Sequence, residues 1–203
     1  MAIEFSSTGR HKTRQGSWVD LDAHQELLQG ESPYLMYTDP PWDNMSWWTS
    51  YHQRTTGEVL TPATQEELLT SITESAKSVT HYLLIEYGQK WRDRIRAIGA
   101  DAGFESHGIV TTVYSSKKLP MDLHLFARGS LGFPDGYQDG IEGTKGWGTV
   151  AAAIQPIAVP DALVLDPCCG LGYTARACVK YGMRFAGNEL LAPRLEKTRA
   201  KLA

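Results

Sequence analysis

From Tyr34 onward, short apolar runs alternate with segments of helical period, and that alternation allows few architectures. Tyr34 to Thr38 reads as a strand that stops at Asp39-Pro40-Pro41-Trp42, because two prolines cannot continue a central strand. Thr61-Pro62 then opens a helix whose Leu68, Leu69, Ile72, Ala76 and Val79 share one face, and His81 to Tyr87 reads as a buried strand. A second helix carries Trp91, Ile95 and Ile98 and finishes near Gly99. Ile109 to Tyr114 and Asp122 to Ala127 suit an antiparallel hairpin. Helical sequence from Thr149 to Ile157 feeds a strand over Ala162 to Asp166, followed by a turn and a helix. The last strand, Arg184 to Gly187, exits through Asn188-Glu189 into a helix bearing Leu191, Leu195 and Leu202. The order predicts an α/β fold with a largely parallel sheet covered on both faces and the hairpin at one edge.

The 203 residues suit a single domain. Residues 1–30 read as an N-terminal extension with a short amphipathic stretch around Leu21, Leu27 and Leu28. Residues 43–61, holding Trp47, Trp48, Tyr51 and His52 without helical or alternating period, read as an aromatic loop. Residues 129–148 are glycine-rich and read as a flexible connection, a lid or a linker. No apolar stretch is long enough to cross a bilayer, and Met1 to Arg14 lack a signal-peptide core, so a cytoplasmic protein with no membrane association is expected. Cys168, Cys169 and Cys178 read as reduced packing residues, since two are adjacent and lack zinc-ligand spacing, and the histidines are scattered, so no metal is implied.

The stretch Val164-Leu165-Asp166-Pro167-Cys168-Cys169-Gly170-Leu171-Gly172 is a strand, an acid and a glycine turn before a helix. Glycines let backbone approach a ligand closely, and Asp166 suits a cationic amino group better than a pyrophosphate. About one strand later, Glu189 stands where a ribose diol is usually held. A dinucleotide fold competes, but Gly170-Leu171-Gly172 is followed by Tyr173, Thr174 and Ala175, so the third glycine of G-x-G-x-x-G is missing. Ligands of such sheets bind at strand carboxyl ends, so Asp39-Pro40-Pro41-Trp42 and Asp166 to Gly172 should meet in one cleft.

Taken together, these motifs make the chain resemble the circularly permuted class of S-adenosylmethionine-dependent amino-methyltransferases that modify adenine or cytosine. That class carries a D/S-P-P-Y/W motif ahead of its cofactor motif, the order found here over roughly residues 34 to 200. The resemblance implies a three-layer Rossmann-like methyltransferase fold, S-adenosylmethionine as cofactor and DNA as partner. Trp42 in the last place matches adenine-directed members. Asp39, Pro40, Pro41 and Trp42 become the expected catalytic residues, and Thr38, Asp166, Cys168, Gly170, Gly172 and Glu189 the cofactor-contacting ones. Lys145-Gly146 occupies the place of a Lys-Pro pair that meets the methionine carboxylate, so Lys145 joins the cofactor set. Related DNA enzymes insert a sizeable recognition region where this chain has only residues 129 to 144, which points to low specificity, a second copy or a partner subunit that supplies it. The chain ends one helix after Glu189, so Leu190 and Leu191 are expected to improvise the adenine pocket.

The lone pair of an exocyclic amine is delocalised into its ring, so acceptors that hold its hydrogens raise its nucleophilicity. The Asp39 carboxylate and the Pro40 carbonyl would serve, and orientation matters more than basicity. Trp42 would stack on the extruded base, worth about 1–3 kcal/mol, and Trp47, Trp48, Tyr51 and His52 would contact the substrate. Extrusion from a duplex itself costs a few kcal/mol. With 20 basic against 23 acidic residues, any nucleic-acid surface must be local; Arg10, Lys12 and Arg14, or Lys90, Arg92, Arg94 and Arg96, are the candidates. Two further readings stay open: an RNA adenine methyltransferase, and a non-catalytic subunit that binds a partner.

Overall fold

A computed structural model describes residues 3–203 except 7, 21, 42–44, 58, 60–62 and 115–118, with backbone alone for 45–48. Its elements run β1 (Ile3–Phe5), β2 (His11–Gln15), α1 (Ala23–Leu28), β3 (Leu35–Thr38), α2 (Met45–Thr56), α3 (Gln65–Lys77) and β4 (Tyr82–Gly88). They continue as α4 (Arg92–Asp101), β5 (Glu105–Tyr114), β6 (Leu119–Ala127), α5 (Trp147–Ile154), β7 (Leu163–Asp166), α6 (Tyr173–Lys180), β8 (Arg184–Glu189) and α7 (Ala192–Arg199). The described strands form one sheet in the order β1-β2-β8-β7-β3-β4-β6-β5. The run from β2 to β4 is parallel, and the predicted β5–β6 hairpin closes one edge antiparallel.

Period-2 side-chain alternation divides the apolar residues between two cores. Leu35, Tyr37, Leu84 and Val164 face α5, α6 and α7, while Met36, Leu83, Ile85 and Leu165 face α1, α3 and α4. Three layers result. Strand order reverses between β3 and β7: the chain moves outward from β3 to β4 on one side and from β7 to β8 on the other. Such a switch point leaves a crevice at the carboxyl ends.

Three expectations need correction. Residues 1–30 are more than an extension, because β1 and β2 join the sheet and β2 pairs in parallel with β8 from His11↔Phe185 to Gln15↔Glu189. Strand β2, His-Lys-Thr-Arg-Gln, shows no apolar alternation, yet Arg14 is only 1% exposed. Pairing makes that burial tolerable: the Arg14 guanidinium donates to Glu26 at 2.7 Å, Asp20 at 3.0 Å, the Ser17 carbonyl at 3.1 Å and Asn188 at 3.0 Å. Lys12 reaches Glu31 at 2.5 Å. The position beside β8 is therefore taken by a strand from the N-terminal segment.

The second correction concerns the aromatic loop, where residues 45–56 are helical as α2. Its aromatic and polar residues have weak amphipathic order, so the period gave no warning, and local backbone hydrogen bonding decided. The predicted Thr61-Pro62 start of the next helix lies outside the described residues. Helix α3 itself begins after Thr64, whose hydroxyl accepts from Glu67 N while the Glu67 carboxylate accepts from Thr64 N, a reciprocal capping box.

Third, residues 129–146 are anchored against the sheet edge instead of forming a loose connection. Tyr137 and Ile141 are buried, and the Tyr137 hydroxyl donates to the Ala153 carbonyl at 2.5 Å. Backbone bonds from Gly143 N to Thr111 O and from Val113 N to Thr144 O, both 2.9 Å, tie the segment to β5. Glycines permit the turns, and a few apolar anchors hold them.

Candidate active site

The cleft at the switch point has a volume of about 260 Å³. Asp39, Pro40 and Pro41 from the end of β3 line it together with Asp166 to Leu171 from the end of β7. Adjacent parallel strands make this meeting necessary: their last register pair is Met36↔Leu165, so Asp39 stands three residues beyond it and Asp166 one. Pro40 is buried and Asp39 exposed. The Pro41 carbonyl is held by Gln65 Nε2 at 2.9 Å and the Tyr87 hydroxyl at 3.3 Å, and Gln65 also bonds Tyr87. One carbonyl of the Asp39-Pro40-Pro41 turn is thus spent on fixing the turn to α3 and β4.

The glycine turn is braced from β8 and α7. Glu189 Oε2 accepts from Gly170 N and its Oε1 from Leu191 N, both at 2.9 Å, and the Cys169 amide donates to the Asn188 carbonyl at 2.9 Å. Arg194 lies 3.9 Å from Glu189. Gly172 has φ of +76°, and a Cβ there would meet the Thr198 backbone at 2.7 Å. Gly172→Ala therefore meets both a strained backbone and an immovable neighbour, and we expect a loss of about 2–4 kcal/mol in unfolding free energy, measurable by urea denaturation.

Asp166 is 3% exposed. Burial pushes its carboxyl up to about 7, and the neighbouring Glu189 charge adds to this, while Thr174, the Cys168 amide and Thr38 pull the other way. Glu189 is also raised by burial, opposed mainly by Arg194. Two buried acids at one turn, incompletely offset by cations, make a site whose charge balance favours a cationic ligand. Burial, with the charges of Asp166, Glu189 and Asp39, drives the Cys168 thiol well up, so it remains protonated. Among the described residues no cluster of three or more His, Cys, Asp or Glu is placed to hold a metal ion.

The remaining predicted residues are distributed unevenly. Thr38 is buried behind the turn. Trp42 lies outside the described residues, as do the side chains of Trp47 and Trp48. Tyr51 and His52 sit on α2, His52 buried, and among the described residues of α2 Thr49 lines the cleft. Lys145 is exposed beside the cleft, which its neighbour Gly146 lines. Leu190 lines the cleft, whereas Leu191 is fully buried at the start of α7. Of the two basic groups expected to meet phosphates, six residues are ion-paired: Arg10 to Asp161, Lys12 to Glu31, Arg14 to Asp20 and Glu26, Arg92 to Asp122, Arg94 to Glu66 and Arg96 to Asp93, while Lys90 lies over the Trp91 ring.

Sequence reasoning missed two contributions. Gly16, Ser17, Trp18 and Val19 line the cleft, brought there by β2. Glu86 lines it from the end of β4, nearly buried, and its carboxylate accepts from the Tyr37 hydroxyl at 2.9 Å and the Thr112 hydroxyl at 2.7 Å. An acid inside the apolar run Tyr82-Leu-Leu-Ile-Glu-Tyr-Gly was the available signal. Glu86→Ala strands two buried hydroxyls and should cost about 1–3 kcal/mol in stability, whereas Glu86→Gln keeps an acceptor and should lose less; thermal unfolding of the pair checks this.

No protein-family model matches the chain, and no curated protein matches it. Solved structures do. The chain resembles the M1.HpyAVI–SAM complex with a TM-score of 0.70 at 15% identity, over 94% of this chain and 98% of that one. TTHA0409 of Thermus thermophilus, complexed with S-adenosyl-L-methionine, gives 0.64 at 15% identity, over 95% and 93%. PvuII DNA methyltransferase, described as cytosine-N4-specific, gives 0.64 at 12% identity, over 98% and 88%. The chain has the fold of these methyltransferases, a mostly parallel sheet with an antiparallel hairpin.

Proposed function

We propose that this protein is an S-adenosylmethionine-dependent methyltransferase that modifies the exocyclic amino group of adenine in DNA. The observation that carries the reading is the shared cleft: the acidic end of β3 and the glycine turn after β7 line one cavity. The methyltransferase fold and the DNA methyltransferases among the structural neighbours support it. The choice of adenine rests on the resemblance of Asp39-Pro40-Pro41-Trp42 to adenine-directed members of the permuted class.

The residues present fit this cofactor. Asp166 offers a buried carboxylate to the amino group, Glu189 stands at the position of a ribose diol, and Leu190 with Trp18 and Val19 supplies apolar surface for a flat base. When bound, S-adenosylmethionine supplies a methyl group activated by a sulfonium. Asp39 and the Pro40 carbonyl would hold the hydrogens of the target amine and orient its lone pair, and the proton released on methylation would leave by way of the exposed Asp39 carboxylate to solvent. Gln65 and Tyr87 keep the turn in place by holding the Pro41 carbonyl. Gain depends on orientation more than on proton abstraction.

The test is incubation with labelled S-adenosylmethionine and unmodified DNA, followed by nucleoside mass spectrometry. N6-methyladenine is expected. N4-methylcytosine would refute the base, transfer to RNA alone would refute the polymer, and calorimetry without cofactor binding would favour a non-catalytic subunit.

A further inference from the structure

We propose that the lip of the cleft at Leu171–Tyr173 is bordered by a phosphate-gripping surface, formed by Lys145, Arg176, Lys180, Lys197 and Lys201, that holds the backbone of duplex DNA beside the methylated base; the proposal rests on the DNA reading above. Most described cations of this slightly acidic chain are committed to carboxylates. Arg10, Lys12, Arg14, Lys77, Arg92, Arg94, Arg96, Arg184, Arg194 and Arg199 all lie in ion pairs. By contrast, no ion pair engages any of the five cations around the lip among the described residues.

Their placement is specific. Tyr173, Arg176 and Lys180 follow one another at helical spacing along α6, which puts them on one face. Tyr173 lines the cleft and packs beside Gly146, another lining residue. The Arg176 guanidinium lies 4.2 Å and the Lys180 ammonium 5.8 Å from the Trp147 ring centre, with Lys145 two residues before that ring. Stacking on an aromatic face fixes a guanidinium while leaving its N–H edge directed outward, the arrangement suited to phosphate oxygens. Across the lip, Lys201 donates to the Leu171 carbonyl at 2.7 Å, and Lys197 sits one turn earlier. The two cation groups therefore flank the exposed Leu171 and Tyr173, which line the cavity that also holds Asp39.

Charge economy identifies the partner. An ion-paired arginine must surrender its carboxylate to meet a phosphate, whereas an unpaired one releases only a counterion. A duplex backbone presents charges at regular spacing and would engage both sides of the lip at once, with the extruded base directed into the cleft between them.

The test is fluorescence-anisotropy binding of a labelled adenine-containing duplex across a salt series, with the wild-type protein, Arg176→Gln/Lys180→Gln, Lys197→Gln/Lys201→Gln and Arg96→Gln as a paired-arginine control. We expect each double variant to bind DNA at least about tenfold more weakly at 0.1 M salt and to lower the slope of log K against log salt by roughly 2, at about 0.9 per lost phosphate contact. S-adenosylmethionine affinity of Arg176→Gln/Lys180→Gln should stay at the wild-type value, and Arg96→Gln should behave as wild type. Wild-type affinity and slope in both double variants, with methylation of DNA retained, would overturn this surface and leave the enzymatic reading standing. Wild-type protein that neither binds nor methylates DNA would remove both.

Discussion

Asp39→Ala should abolish methyl transfer, lowering kcat by about 10³-fold or more, equivalent to about 4 kcal/mol of transition-state stabilisation, while cofactor affinity stays within about twofold. The asymmetry follows from placement. Asp39 stands at the end of β3 and faces the cleft, whereas the bonds that shape the cofactor turn come from Glu189, Asn188 and Cys168. Removing the Asp39 side chain takes away the acceptor proposed for the target amine without disturbing those bonds. The variant should also fold as wild type, since the Pro41 carbonyl keeps its partners Gln65 and Tyr87. Single-turnover rates together with calorimetric cofactor binding check the claim, and equal losses of rate and affinity would contradict the role.

Asp166 should show the second large effect, and its pH dependence has a defined sign. Burial raises its carboxyl to about 7, so the empty site near neutrality is partly protonated. A cationic ligand binds the ionised form, and affinity for S-adenosylmethionine should therefore fall as pH drops below about 7, approaching tenfold per unit. Asp166→Asn should weaken binding by about 10–100-fold at pH 8, the worth of a hydrogen bond to a charged group, and remove that pH slope. Ligand-free stability runs the opposite way. Because the folded-state value lies above the ordinary 3.8, the folded chain holds the proton longer than the unfolded one, and stability falls as pH rises from about 4 to about 7. Glu189, raised in the same direction, adds to the decline. Calorimetry and thermal denaturation across pH 5–8 measure both, and a wild-type affinity flat in pH would sink the assignment of Asp166 to a cation.

Strands with apolar patterns are legible in the sequence. The β3 run ending at Asp-Pro-Pro, the buried β4 and the β7–turn–α6 unit appear near their predicted bounds, and the β5–β6 hairpin is present with both strands starting earlier, at Glu105 and Leu119. Each owes its character to local causes: period, proline exclusion and glycine turns. Strand β2 was illegible for an equally physical reason. Its residues are polar and charged, and they become buried only because the chain folds back through α1 to bring Asp20, Glu26 and Glu31 against them, while β8 supplies Asn188. Helix α2 was hidden by a composition without period. Among the site residues, Glu86 carried a faint signal as an acid in an apolar strand, and Trp18 carried none.

What the sequence determined by itself was the alternation of elements and the chemistry at two strand ends, because backbone period and turn-forming residues act over a few positions. Tertiary structure alone decided that the N-terminal residues join the sheet beside β8, and that Arg10, Arg92 and Arg94 are spent on carboxylates. It also left five cations around Leu171–Tyr173 outside the ion pairs of the described residues. Pairing of charges over long sequence separations depends on which surfaces the packed layers bring together, and no local pattern encodes that.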